Sequence, residues 1–549
     1  MSNLNSEEAI RQAVAARVAE EQTGNPAGSG YSSEPGTLPA LTHDYIEQCI
    51  NHNELGDGIV FSIIHRRRHV YVGQAEQWMY FDNHHWQFDN IGKAHFARAD
   101  VEDVAELYQK TAAHLTKEAQ RMRELEDKNE ANRLDTRAKK LRDRIFKLRS
   151  ESGRTKCVGC AVTNRVLSIA IDGDEIDRNP WVLPVENGVL DLRTGLLMEG
   201  RPEDFYMRCS PVRWEGIDAP CPEWEKFLIE IMDGDQDVVD FLQRVFGYGI
   251  TGLSTEQKFI MLFGKGRNGK GVMTEVIQEI LGGTDSFGGL AAPIQSEMLL
   301  DQGKSRSSSG PSPDIMLLRG LRIAFASETD EGQRFSAARV KWLSGADTLT
   351  GRYPYSKQNI AFSPTHLLCL LTNSKPHAPA TDFAFWERLM LVEFPLSFVD
   401  RAPQAINERR VDKGLKERLR KELPGILAWL VRGCLKWQEL GGLEPPVKVR
   451  DAVDAYRKDE DMMADFVEAC CVVHPEDPKA HRTVARELYD VFSWWFKKEI
   501  SQKKNFSQKA FGKLMKEKFE RDRVGGNYWY YGVTISEDAK EAMREESSS

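Results

Sequence analysis

Missing from this 549-residue sequence is any apolar run near the roughly 18 residues that a membrane-crossing helix needs. Its opening stretch, MSNLNSEEAIRQAVAARVAEEQ, also lacks the apolar core of a secretory signal. No membrane partner is expected, and the cytoplasm of a bacterium or of an infected host cell is the expected location. Cysteine is sparse. Nine residues, an odd number in so long a chain, do not make a disulfide framework. One CxxC occurs, Cys157 with Cys160, and Cys209 and Cys221 do not supply the second pair a zinc site would need. Reduced, partly buried thiols are expected instead. Excess positive charge is absent as well. A net charge of −9 excludes a chain that is basic throughout, though not one whose basic residues are gathered in a few places. No internal repeat is present.

What is present is enough chain for three or four domains. Residues 1–40 end in GNPAGSGYSSEPG, a flexible tether, and are expected to be disordered. Residues 41–235 read as an α+β domain, with short aromatic strands in WMYFDNHHWQFD (78–89). The run QRMRELEDKNEANRLDTRAKKLRDR has few apolar positions, which predicts a solvated or partner-facing helix. PWVLPVENGVLDLRTG reads as two strands with a turn at Asn187-Gly188. Residues 236–400 alternate strands with helices and loops, the pattern of an α/β core. They include DQGKSRSSSGPSP (301–313), a mobile low-complexity loop. Residues 401–460 read as a helical segment, and 461–549 as a C-terminal domain of three helices followed by a hairpin.

The strongest signal is KFIMLFGKGRNGKGVMTEVIQEILGG. Phe259–Phe263 predicts a buried strand, and Val272, Val276, Ile277, Ile280 and Leu281 predict one face of a helix. Between them, Gly264, Lys265, Gly266, Arg267, Asn268, Gly269, Lys270 and Gly271 form a loop that can wrap phosphates with backbone N–H groups. Lys270 supplies a positive charge for the β- and γ-phosphates, and the helix N-terminus favours anions. Gly271 stands where such loops carry a Ser or Thr hydroxyl for Mg²⁺. Metal binding is then left to acidic groups, to water, or to Thr274.

A second apolar run, LRIAFASE, ends at Glu328, which can hold Mg²⁺ or polarise an attacking water. Asp330 and Glu331 compete with it, Asp330 as a second metal ligand. A third, THLLCLLTN, ends at Asn373, placed to orient water or sense a γ-phosphate. In TDFAFWERLMLVEFP, Arg388 can reach into a neighbouring subunit's nucleotide, or it can pair with Glu387 or Asp382 in its own chain.

The order GKGRNGK, ASETDEG, SGADTLTGR, LLTNSKP, TDFAFWERL resembles superfamily 3 helicases, and within them the phage and plasmid primase-helicases, which include the poxvirus primase-helicase. VENGVLDLRTGLLMEGRPEDFYMRCSPVRW is similar to that family's segment ahead of the helicase. The resemblance spans roughly residues 75–460. It implies an α/β, AAA+-like P-loop ATPase core, ATP and Mg²⁺ as cofactors, and a hexameric ring moving 3′ to 5′ on single-stranded DNA. It implies Lys270 as the Walker A lysine, Glu328 as the Walker B acid, Asn373 as the sensor and Arg388 as the arginine finger. It also implies a channel hairpin in TLTGRYPYSKQNIAF (348–362), where Arg352, Tyr355 and Lys357 could grip DNA.

A primase domain is not expected. Asp172 and Asp174 in LSIAIDGDEID read better as a turn around Gly173, so a separate primase or polymerase is the expected partner. Residues 485–532 look like a winged helix. Ser507 caps a helix whose Phe511, Leu514, Met515 and Phe519 form one face, and Lys509, Lys513 and Lys516 a separate exposed stripe suited to duplex DNA. A solvated charged helix or a partner-docking one are the other readings. The leading functional expectation is an ATP-dependent DNA helicase of a phage, plasmid or mobile element. The alternative, favoured by Gly271, is a DNA-binding or loading protein that uses nucleotide as an assembly switch. An ATPase that packages DNA fits the motif order less well.

Overall fold

The computed structural model describes residues 38–165, 167–283, 289–302, 311–327, 332–353, 358–499 and 506–547. The expected disordered tail lies almost wholly outside them, as does most of the expected loop at 301–313.

The described chain opens with α1 (His43–Ile50) and α2 (Glu54–His65), then β1 (His69–Val72), β2 (Gln77–Asp82) and β3 (His85–Phe88). Next come α3 (His95–Ala99), α4 (Val101–Glu124), α5 (Lys128–Leu148), α6 (Glu151–Thr163) and β4 (Ala170–Ile171). The strands form one sheet in the order β3-β2-β1-β4.

The charged run expected to be one solvated or partner-facing helix is instead parts of two helices packed on each other. It breaks at Leu125–Asp127, where Glu126 takes φ 65° and the Asp127 side chain accepts from the Glu130 N–H. Along α4, Val104, Ala105, Tyr108, Ala112, Leu115 and Ala119 are buried. Along α5, Ala131, Leu134, Ala138, Leu141, Ile145 and Leu148 face them. The stripe is narrow because alanine supplies much of it, so charged residues dominate the text while a continuous seam is still buried. Inside that seam Asp57 accepts from Tyr108 Oη at 2.9 Å and pairs with Arg144.

β5 (Val182–Val185), β6 (Gly188–Asp191) and β7 (Leu196–Met198) form an antiparallel sheet. The β5–β6 turn falls on Glu186-Asn187, one residue earlier than expected, because Gly188 already pairs with Val185. A Cβ on Gly188 would stand 2.6 Å from the Met198 carbonyl oxygen, so the third strand can close only over glycine.

The largest core follows. It is built from α7 (Pro222–Ile231), α8 (Gln236–Gly249), β8 (Phe259–Phe263), α9 (Lys270–Ile280), β9 (Ala291–Gln295), α10 (Pro313–Leu317), β10 (Ile323–Ser327) and α11 (Ala337–Leu343). It continues through a hairpin, β11 (Leu349–Gly351) with β12 (Ile360–Phe362), then β13 (Leu367–Thr372), α12 (Phe383–Trp386) and β14 (Leu389–Glu393). Five strands form a wholly parallel sheet in the order β14-β8-β13-β10-β9. Their near-continuous apolar text, FIMLF, IAFAS, LLCLLT and LMLVE, is what burial on both faces demands. β15 (Ser397–Val399), β16 (Glu408–Arg410), α13 (Leu415–Lys421), α14 (Leu423–Leu440) and α15 (Val447–Asp459) come next. Ile426, Leu427 and Leu430 of α14 share one core with the sheet and with α8. A Cβ on Gly433 would meet the Gln243 carbonyl oxygen at 2.0 Å, and one on Gly247 the Cys434 nitrogen at 2.2 Å, so two glycines let these helices touch backbone to backbone.

Between the front of the chain and the sheet lies a buried polar seam. Arg322, 4% exposed and just ahead of β10, donates to the carbonyls of Asn179, Pro180 and Val182. Arg208 donates to the carbonyls of Gly289 and Arg319, and the Asp177 carboxylate accepts from the Met207 N–H. Burial pulls the Arg322 guanidinium down to about 10.

The C-terminal part differs in detail from the expected three helices and hairpin. After α16 (Met462–Cys470) come β17 (Cys471–Val473) and β18 (Arg482–Val484), then α17 (Ala485–Glu499), α18 (Gln508–Lys518), β19 (Arg521–Val524), β20 (Asn527–Tyr531), β21 (Val533–Ile535) and a last helix, α19 (Glu537–Ser547). The hairpin starts at Arg521 and turns on Gly525-Gly526, both at positive φ. Short charged strands such as RDRV carry little apolar alternation, so the text hid them. No described helix is long and apolar enough to cross a membrane, and all nine cysteines are free.

Candidate phosphate-binding site

β8 ends at Phe263 and α9 begins at Lys270, with the glycine loop between them at the C-terminal edge of the sheet. Here the chain leaves β8 and crosses over its neighbours to β9, the place where open parallel sheets bind ligands. Gly266, Arg267 and Gly269 take φ of 92°, 50° and 86°. A Cβ on Gly269 would stand 2.5 Å from Ile231 Cγ2, so the end of α7 presses directly on the loop and leaves room only for glycine. The first backbone bond of α9 runs from the Met273 N–H to the Gly269 carbonyl. The N–H groups of Lys270, Gly271 and Val272 precede it and are those a helix leaves without an internal acceptor.

Lys270 is 6% exposed. Its Nζ donates to the Gly264 carbonyl at 2.6 Å, the Thr372 carbonyl at 2.7 Å and Asn373 Oδ1 at 3.1 Å. Burial pulls its ammonium down to about 8. Asn373 is brought there because Thr372 of β13 pairs in register with Phe263 of β8. Two residues far apart in the text therefore meet at one point, one a cation and one a side-chain amide. Within the loop, Lys265, Arg267 and Gly271 are exposed, whereas Asn268 is buried and its Nδ2 has no hydrogen-bond partner.

Thr274 is not available as a metal ligand in this arrangement. It is 2% exposed and its hydroxyl donates back to the Lys270 and Gly271 carbonyls. Gly271, by contrast, has open space where a side chain would stand. Glu328, Asp330 and Glu331 lie outside the described residues, as do Tyr355 and Lys357. The hairpin expected over 348–362 is present as β11 and β12, and Arg352 follows its first strand, with its N–H donating to Ser312 Oγ.

Arg388 sits at the opposite edge of the sheet. Its carbonyl accepts from the Phe259 N–H, at the start of β8, so the length of that strand, about 15 Å, separates it from the loop. The guanidinium donates to the Ala384 carbonyl and to Gln257 Oε1. Neither Glu387 nor Asp382 pairs with it among the described residues. Asp382 takes Lys341 and caps α12.

The sequence reading missed a cavity of about 510 Å³ that opens beside Arg267, Gly269 and Val272. Phe227 and Phe398 give it apolar walls, and Arg410 and Lys416 stand at its rim. The density of basic residues in NERRVDKGLKERLRK was the available signal. In the C-terminal part, Ser507 caps α18 by accepting from the Ala510 N–H, Phe511 and Met515 are buried, and Lys509, Lys513 and Lys516 are exposed. Asp172 and Asp174 both accept from Gln74 Nε2, with Gly173 between them at φ 119°.

Residues 60–233 match the family model described as D5 N terminal like. "Putative helicase L207/L206" of Acanthamoeba polyphaga mimivirus is 25% identical over 339 residues, 60% of this chain and 34% of that protein. "Putative helicase 022R" of Frog virus 3 is 24% identical over 453 residues, 67% of this chain and 45% of that protein. "Putative primase C962R" of African swine fever virus is 22% identical over 354 residues, 60% of this chain and 35% of that protein. The family-model match and these viral relatives support a D5-like primase-helicase family member. The chain spans between about a third and a half of the length of these curated relatives. Among solved structures, the C-terminal region of NrS-1 aligns over 60% of this chain and 78% of that one, with 12% identity and a TM-score of 0.35, too low a likeness to bear on the fold.

Proposed function

We propose that the chain is an ATP-hydrolysing DNA helicase subunit of a replication system, working as a homo-oligomeric ring that moves 3′ to 5′ on single-stranded DNA and is hexameric as in the family it resembles. The observation that carries this reading is Lys270. It is a buried ammonium whose recorded partners are only carbonyl and amide oxygens, set against the free N–H groups of a helix start. A cation held in that way is a receptor for a polyanion, and a nucleoside triphosphate is the polyanion that a β-strand, glycine loop and helix in this order accommodate. The strand order, with the loop strand second and the Asn373 strand beside it, supports an AAA+-like P-loop core. The names of the viral relatives support work on DNA.

In this reading ATP lies with its phosphates on Gly264–Gly271 and its nucleoside toward the cavity beside Phe398. Mg²⁺, when bound, neutralises phosphate charge. Glu328 and Asp330 would hold it, since Gly271 offers no hydroxyl and Thr274 is turned inward. Arg388 cannot reach its own chain's loop. It serves the neighbour's, stabilising charge that develops on the transferring phosphate. Asn373 orients the water. The β11–β12 hairpin, with Arg352, Tyr355 and Lys357, follows DNA in the channel, and the C-terminal module binds duplex as a winged helix through Lys509, Lys513 and Lys516. Primer synthesis falls to a separate primase or polymerase.

The test is Lys270→Ala, assayed for ATPase and for strand separation on a forked substrate. Both activities should vanish, and unwinding retained by a clean preparation would refute the proposal. Gly271 favours a second reading, a loading protein switched by nucleotide with little hydrolysis. DNA-stimulated turnover accompanied by strand separation in the wild-type chain rules that reading out.

A further inference from the structure

Outside the phosphate loop, four polar side chains meet inside the front of the chain. His65 ends α2, His69 opens β1, and Asp100 and Asp103 stand at the start of α4. Both imidazoles are 2% exposed. His69 Nε2 lies 2.7 Å from Asp100 Oδ2, and His65 Nε2 lies 3.4 Å from Asp103 Oδ2. One donor atom from each of His65, His69 and Asp100 falls within 4.8 Å of the other two. His65 Nε2 is shut off from solvent and has no hydrogen-bond partner. A buried nitrogen left unsatisfied in this way destabilises the fold, and Asp103 stands too poorly aligned to relieve it.

We propose that His65, His69 and Asp100, with Asp103 at the rim, bind a divalent transition-metal ion of the zinc class. Two imidazole nitrogens with carboxylate oxygens are a donor set that suits zinc, cobalt or nickel rather than magnesium or calcium. Ligand atoms about 2 Å from a tetrahedral ion stand about 3.3 Å apart, so the group must draw in by on the order of 1 Å. Arg68 Nε also touches Asp100 Oδ2, at 3.1 Å, but its side chain is 62% exposed and can swing into water when a cation enters. The ion would pin the end of α2, the start of β1 and the start of α4 together, at the beginning of the segment that matches the family model. This inference does not depend on the phosphate-site reading.

The experiment is a Co²⁺ titration of the metal-stripped, nucleotide-free full chain, followed by visible and near-ultraviolet absorption. One equivalent should bind at micromolar concentration with the spectrum of a four-coordinate nitrogen/oxygen site and no thiolate charge-transfer band. His65→Phe, which keeps the buried volume, and Asp100→Asn should each weaken binding about 10–100-fold or more. Absence of stoichiometric binding, a thiolate spectrum, or unchanged affinity in folded variants would each overturn the proposal. Should the variants not fold, the wild-type stoichiometry and spectrum decide alone.

Discussion

Replacing Lys270 by methionine removes a charge that the folded chain pays to keep dry. The ordinary lysine value is 10.5 and burial brings this one to about 8. At 1.36 kcal/mol per pH unit, the folded chain without nucleotide carries a penalty of about 3 kcal/mol. The sign follows from the direction of the shift. Below pH 8 the ammonium is protonated in both folded and unfolded states, and the whole penalty is present. As pH rises from about 8 to 10.5 only the unfolded chain stays protonated, and above 10.5 neither does, so the penalty disappears. Lys270→Met also leaves the Gly264 and Thr372 carbonyls without their donor, a loss of about 1–3 kcal/mol that does not vary with pH. The clean quantity is therefore the difference in unfolding free energy between variant and wild type, measured by denaturant titration without nucleotide. It should move in favour of the wild type by about 3 kcal/mol between pH 7.5 and 10.5. Adding ATP at pH 7.5 should stabilise the wild type alone. A difference that stays flat across this range would show that the ammonium is not buried as described, and would remove the main support for a polyanion receptor.

Gly271→Ser places a hydroxyl in open space on the first turn of α9. It should lower the Mg²⁺ concentration needed for half-maximal ATPase about 10-fold, or about 1.4 kcal/mol, with thermal stability equal or slightly higher. Arg388→Ala should reduce turnover about 1,000-fold. Mixing it with Lys270→Ala subunits should restore part of the activity, because one intact loop then faces one intact arginine, and mixtures as inactive as their components would contradict a role in trans. Changing Lys509, Lys513 and Lys516 together to Glu should weaken duplex binding and reduce the slope of log affinity against log salt by about 3. Fluorescence anisotropy at several salt concentrations measures both.

The loop was legible in the text because its chemistry is local: strand, glycines, lysine and helix follow one another without interruption. Asn373 was legible as the end of an apolar strand, but its contact with Lys270 depends on the β8–β13 register, which no local pattern specifies. Arg388 could be named as a cation in an apolar setting. Its place at the far edge of the sheet follows only from how β14 pairs with β8. The α4–α5 hairpin was legible as helix but not as a pair packed on itself, because alanine in a seam looks neutral until a partner helix covers it. His65, His69 and Asp100 escaped notice for the same kind of reason, since the aspartate stands in the turn between α3 and α4, 31 residues beyond His69.

Arg322 behaves like a rivet through two plates. Its backbone belongs to the lead-in of β10, while its guanidinium is fastened to three carbonyls of the chain that enters β5. A twist of the sheet cannot leave that segment behind without stranding the buried N–H donors that make these three bonds. The front of the molecule must ride along with the strand that leads toward Glu328, as a handle rides with its blade.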